Sequence, residues 1–212
     1  MKMSRLYTTA ITKLQALDFV GLLLLRIYLA PIFIVAGLTK LNSFESIVEW
    51  FGNSDWGLGL PFPVLMAVLG IFAELIGGFA LLFGVMTRFF SLSLIITMAV
   101  AGLTVHLKNG WSAIASSDAS TSIALFWSKL GFGNANDSLN HAEEVALRLQ
   151  KAREILQEHG NYDWLTEMGN FVILNNGIEF AATYLIMLLP LLFYGAGKYV
   201  SVDYFLGKRF LK

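Results

Sequence analysis

The sequence predicts an all-α integral membrane protein: a four-helix bundle with a helical insertion between its third and fourth helices. Three observations lead there. Of the 212 residues, 56% are hydrophobic and only 14% are charged, with a mean hydropathy of +0.64; a soluble domain carries about 25% charge. Four windows are apolar over roughly the 20 residues that cross a bilayer. Within those windows, small and polar residues recur at three- and four-residue steps, the spacing of one helix face.

The predicted spans run from about Phe19 to Leu41, Phe62 to Met86, Phe89 to Leu107 and Ile178 to Gly197. The first is too long for a cleaved signal peptide, contains Arg26 and is followed by no small-residue cleavage site, so it reads as a retained helix. Lys2, Arg5 and Lys13 precede it, Arg88 sits in the short turn between spans two and three, and Lys198, Lys208, Arg209 and Lys212 follow span four. The loop after Lys40 carries Glu45, Glu49 and Asp55 instead. Basic residues favour the cytoplasmic side, so both termini are expected in the cytoplasm of a multi-pass protein of the bacterial inner membrane. The acidic loop and the insertion, residues 108–177, are expected outside. GLGLPFP (57–63) reads as the turn that ends the first outer loop.

Inside the insertion, SIALFWSKLGF (122–132) is apolar but too short to span and reads as interfacial. A helix is expected from Asn140 to Glu158, where Ala142, Val145, Leu149, Ala152 and Leu156 form one apolar stripe. Asn140 and Glu143 stand at capping-box spacing, and Gly160 is a fitting stop.

Ionisable residues in a bilayer are expensive and must be protonated, paired or wet. Glu74 falls near the midplane, about 18 Å deep, and Arg26 about 12 Å deep from the cytoplasmic side. The two helices are consecutive, which makes Arg26 the expected partner of Glu74. Lys40, His106 and Glu179 fall near one level at the outer edge, beside Asn175 and Asn176. Arg26, Ala30, Phe33, Gly37 and Lys40 share a helix face, as do Gly70, Glu74, Gly77, Leu81 and Gly84, and Ala99, Gly102 and His106. Such faces are expected to pack inward. Arg26, Lys40, Glu74, His106 and Glu179 are thus the candidate inner binding site, and no catalytic residue is singled out. An Arg–Glu pair that only fixes helix register is the structural alternative.

Some chemistries are excluded. There is no Cys, hence no disulfide, thiolate metal site or cysteine-ligated cluster. No pair among His106, His141 and His159 has ligand spacing, and Met66, Met86, Met98 and Met187 form no cluster, so no metal site is expected. Phosphate-loop, nucleophile-elbow and dinucleotide motifs are missing. Lys+Arg and Asp+Glu balance at 15 each, which gives no sign of a nucleic-acid partner.

RIYLAPIFIVAGLTKL (26–41), AELIGGFALLFGVMTR (73–88) and VHLKNGW (105–111) resemble the DoxX family of small four-helix membrane proteins, over the chain as a single domain, 1–212. WFGNSDWGLGLPFP (50–63), HLKNGW (106–111), AREILQEHGNYDWLTEMGNFVILNNGIEFAATY (152–184) and KYVSVDYFL (198–206) resemble a subgroup found beside genes for copper-binding modified peptides. The resemblance implies an accessory membrane component of that maturation, handling or exporting a small modified peptide in company with its maturation proteins. The wider family also implies an alternative, an oxidoreductase subunit that meets quinone as its cofactor, with Arg26 and Glu74 binding or protonating the quinone oxygen. A non-catalytic scaffold is the third reading. The oligomeric state is not legible.

Overall fold

The computed structural model describes residues 11–210; Lys2, Arg5 and Lys212 of the orientation pattern lie outside it. Its regular elements are all helical among the described residues, and a single isolated antiparallel bridge joins Ile114 to Leu174. The helices are α1 Asp18–Asn42, α2 Phe44–Gly52, α3 Pro63–Phe83, α4 Thr87–Asn109, α5 Ala124–Lys129, α6 Asn134–Asn140, α7 Ala142–His159, α8 Tyr162–Thr166, α9 Glu179–Tyr194 and α10 Val202–Phe210. They fall into two compact units, one comprising the chain up to Ala99 with Tyr184 onward, the other Val100–Thr183.

Three helices are long and apolar enough to cross a membrane: Ile11–Asn42, Pro63–Phe83 and Thr87–Asn109. The fourth apolar window forms a helix of 16 residues, about 24 Å at 1.5 Å per residue, against roughly 30 Å of hydrocarbon. It stops where Gly195 (φ +79°) and Gly197 (φ +86°) turn left-handed. These glycines end the helix before the apolar run itself ends.

In the first unit, α3 lies between α1 and α4, and adjacent glycines serve the two contacts. A Cβ on Gly78 would lie 2.7 Å from Ile34 Cγ1 of α1, and one on Gly37 of α1 would lie 2.7 Å from the Leu75 nitrogen. On the neighbouring face, a Cβ on Gly77 would lie 3.3 Å from Leu94 of α4. In lipid there is little hydrophobic gain from bringing helices together, so close packing of small residues must do it. Around these contacts Leu29, Ala30, Phe33, Leu81, Leu94, Leu188 and Leu191 are enclosed. Leu24, Tyr28, Val35, Phe79, Phe83 and Ile96 point outward, as a surface bathed in acyl chains requires.

Pro63 opens α3 at a position that needs no N–H. Gly84 (φ +66°) closes it: the Val85 N–H donates to Ala80 O at 2.9 Å and the Gly84 N–H to Leu81 O at 3.2 Å, the double bond of a Schellman end. The acidic stretch after α1 is helical over Phe44–Gly52 rather than a loop. Asn53 Oδ1 then gathers the N–H groups of Asp55 and Trp56, and Leu58 N–H donates to Trp50 O. Any side chain at Gly57 would collide with that Trp50 carbonyl.

In the second unit, α7 matches the expected helix, with Ala142, Val145 and Leu149 buried. Ala152 is exposed and Leu156 half-buried, so only the first half of the stripe is covered. The expected Asn140 cap does not form, because Asn134–Asn140 is already helical and His141 continues in helical geometry. The N–H groups at the start of α7 therefore find carbonyls in the preceding turn, as Val145 does on His141.

The glycine contacts predict that Gly78→Val destabilises the protein by about 1–3 kcal/mol through overpacking, whereas Gly70→Ala, with open space around its Cβ, is neutral or slightly stabilising. Thermal unfolding of both variants in one detergent, followed by circular dichroism, checks this.

Candidate functional site

α3 is not a uniform helix. Phe72–Ile76 forms a π-helical turn with Glu74 at its centre, and Gly102–His106 in α4 forms another, ending on His106. Such turns occur frequently at functional sites. Each one carries a residue that the sequence placed in the inner polar set.

Glu74 is 2% exposed and stands about 17 Å along α3 from Pro63. Its Oε2 accepts from Lys40 Nζ at 2.6 Å. The carboxylate side chain is 3% exposed and the lysine side chain 27%. The sequence paired Glu74 with Arg26, and here the structure differs. The two glycine contacts fix an antiparallel register in which Gly37 meets Leu75 and Gly78 meets Ile34. In that register Lys40 comes level with Glu74, and Arg26 comes level with the far end of α3.

Arg26 is 1% exposed, and its hydrogen bonds go to carbonyls. Nε donates to Leu81 O at 2.6 Å, Nη2 to Leu82 O at 2.8 Å, and Nη1 to Ala196 O at 2.9 Å and Val200 O at 3.3 Å. The first two are carbonyls of the last turn of α3, at the negative end of its dipole; Leu81 O also accepts the Gly84 N–H, so Arg26 is its second donor. Gly84 is what lets the guanidinium in: a Cβ there would lie 2.7 Å from Nη2 and 2.6 Å from Ser201 Cβ.

Four residues at this end were missed from the sequence. Asp203 accepts from the N–H groups of Met86 (2.7 Å) and Thr87 (2.9 Å), capping the start of α4, while its own N–H donates to Gly84 O. Ser201 Oγ accepts from Tyr204 N–H at 3.3 Å and caps α10. The signal was Ser201 immediately ahead of a helix with Asp203 in its first turn. Thr87 and Ser91, one turn apart on α4, are fully enclosed with no hydrogen-bond partner for either hydroxyl.

The remaining two candidates belong to the second unit. The His106 ring nitrogen Nδ1 lies 2.9 Å from Asn176 O, so it carries the proton and donates; Asn109 Nδ2 donates to the same carbonyl at 3.2 Å. Glu179 Oε2 accepts from Ala113 N–H at 2.9 Å. Around them, backbone N–H groups of 175–179 donate to the carbonyls of Ala113, Ser112, Gly110 and Trp111, and Asn175 Nδ2 reaches Ser112 O. HLKNGW and NNGIE thus clasp each other. Gly177 has to be bare, since a Cβ would lie 2.5 Å from Ser112 O.

The structure therefore brings Lys40 and Glu74 together, commits Arg26 to helix ends, and commits His106 and Glu179 to holding a loop. No group of three or more His, Cys, Asp or Glu residues poised for a metal occurs among the described residues.

Three helices long and apolar enough to cross a membrane, one of them carrying a buried, ion-paired carboxylate, mark a membrane protein. The DoxX family pattern matches residues 21–107 of this chain, the stretch that carries Arg26, Lys40, Glu74 and His106. The chain is 37% identical over 89 residues to a Bacillus subtilis (strain 168) protein named "Putative oxidoreductase CatD", covering 42% of this chain and 62% of that one. It is 37% identical over 97 residues to an uncharacterised Haemophilus influenzae protein, covering 44% and 62% respectively. The chain thus spans about three fifths of the length of these curated relatives. No solved structure matches it.

Arg26→Ala removes a buried donor from four carbonyls, and an unsatisfied buried group costs about 1–3 kcal/mol. We expect a loss of roughly 3 kcal/mol or more, with Arg26→Lys rescuing little because an ammonium cannot span acceptors the way a planar fork does. Asp203→Ala should cost about 0.5–2 kcal/mol as a lost helix cap. Chemical denaturation of the purified protein measures all three.

Proposed function

We propose that this chain is a DoxX-type membrane component serving the maturation of a copper-binding modified peptide, handling the product at the inner membrane rather than supplying the redox or copper chemistry. In this reading the four apolar segments cross as a bundle, both termini are cytoplasmic, the insertion is external, and the whole chain is one functional domain. The observation that carries it is the Lys40–Glu74 pair on a π-helical turn inside a span. A molecule approaching the pair meets the partly exposed ammonium first and the enclosed carboxylate behind it. Such a pair can hold a polar peptide group, or take and release a proton as the cargo moves. The donor set supports cargo handling over copper retention: there is no Cys and no three-ligand group among the described residues. The subgroup resemblance over 50–63, 106–111, 152–184 and 198–206 points the same way.

A second reading is favoured by the printed name of the Bacillus relative. As an oxidoreductase subunit, the chain would offer Lys40 as donor to a quinone carbonyl and Glu74 as the group that holds the proton. Quinone supplies the two-electron chemistry when bound; the chain contributes position and proton handling.

Deleting the gene with its neighbours intact should lower growth at high copper and lower the yield of mature peptide. Complementation by Glu74→Gln or Lys40→Met at wild-type abundance should restore less than about a tenth of that yield, the loss typical of removing one acid–base group. Full rescue by both would leave only a scaffold, and a substrate-dependent quinol signal in isolated membranes would establish the oxidoreductase reading instead. Because the chain has no Cys, single cysteines at positions 55 and 88 report orientation directly: a membrane-impermeant maleimide added to whole spheroplasts should label position 55 and spare 88.

A further inference from the structure

The first unit contains a cavity of about 1230 Å³ far from Glu74, at the end where α1 and α4 begin and α9 stops. Its apolar wall is built from Gly21, Leu22 and Leu25 of α1, Phe89 of α4 and Pro190 of α9. Four charged side chains also line it: Asp18, Arg88, Lys198 and Asp203. They are not equivalent. Asp203 is committed to the Met86 and Thr87 N–H groups. Asp18 meets Lys198 only at 3.5 Å, with both side chains more than half exposed. Arg88 has no acidic partner among the described residues; its Nε passes over the bare Gly195, 3.4 Å from where a Cβ would stand. The wall also includes Thr87, whose buried hydroxyl lacks a partner.

The surroundings are those of a headgroup layer. Three apolar helices share this end, and α10 beside it exposes Val202, Phe205 and Leu206 along with Lys208 and Arg209, the mixture of an interfacial helix. Basic pockets between transmembrane helices attract anionic lipid headgroups. The cavity joins such a cation to an apolar trough about as large as sites that enclose whole small ligands.

We propose that this cavity is a binding site for an anionic phospholipid, its phosphate on Arg88 and Lys198 and one acyl chain along Leu22, Leu25, Phe89 and Pro190. The site is independent of the peptide-maturation reading, since it uses neither Lys40 nor Glu74.

The test is native mass spectrometry of the full chain in detergent, titrated with equal amounts of phosphatidylglycerol and phosphatidylcholine bearing the same acyl chains. Phosphatidylglycerol should be retained in about tenfold excess, and Arg88→Gln with Lys198→Gln should abolish that preference. Gly21→Phe places a ring in the trough at a position where an added Cβ meets nothing within 4 Å. It should lower retention of phosphatidylglycerol at least about fivefold with thermal unfolding unchanged. Glycerol phosphate in excess should not compete. Equal retention of the two lipids, an unchanged preference in the double variant, unchanged retention in the folded Gly21→Phe protein, or displacement by glycerol phosphate would each overturn the assignment, the last by making it a site for a soluble anion.

Discussion

The guanidinium of Arg26 is the point on which the first unit is hung. A bilayer offers no water to carbonyls left over at a helix end, so some group in the protein has to take them. Arg26 takes two from the last turn of α3 and two from the segment that follows α9. One side chain thus ties together stretches separated by 55 and 170 positions in the chain. A hydrophobic residue could fill the same space but could not satisfy carbonyls of both α3 and the segment beyond α9. The cation is satisfied by dipoles rather than by an acid, and this frees Glu74 to be paired elsewhere.

That division of labour changes how the charged residues should be viewed. Within one span, α1 carries both a cation that is enclosed and structural and one that is half open and paired. Lys40 reaches Glu74 from near the end of its helix, where a flexible stem can let the head leave for water. Arg26 has no such exit. Substituting one for the other would not conserve either role, because a fork and a point charge make different demands on their acceptors.

Much of this arrangement was legible in the amino-acid sequence. Three of the spans, the inward faces and the helix at 142–159 follow from periodicity, and the small-residue stripe did mark the close contacts at Gly37 and Gly77. The identity of the ionic partner was not legible, because register between antiparallel helices depends on where the second one starts. That start is set by a connection that is itself helical at Phe44–Gly52 and then wound around Asn53. Sequence proximity in depth therefore favoured Arg26, and two glycines decided for Lys40. Asp203 escaped notice for a related reason: a short N-cap motif announces its own helix, and here it also closes the start of another. The length of the last apolar helix was misjudged because hydropathy does not register a left-handed glycine. In the insertion, Asn175 and Asn176 read as a polar edge beside His106 and Glu179, whereas their N–H groups and the Asn175 amide are spent on the facing backbone.

The π-helical turn at Glu74 splits α3 into two independently indexed halves. Pro63–Ile71, the turn and Gly77–Phe83 all pack on α1, and the wider turn shifts the angular phase of the second half relative to a regular helix, which advances about 100° per residue. The acid sits on the joint, like a pin through a coupling. A change of winding at this turn would swing the carboxylate about the helix axis and away from Lys40, which ties the ion pair to the local pitch of the span.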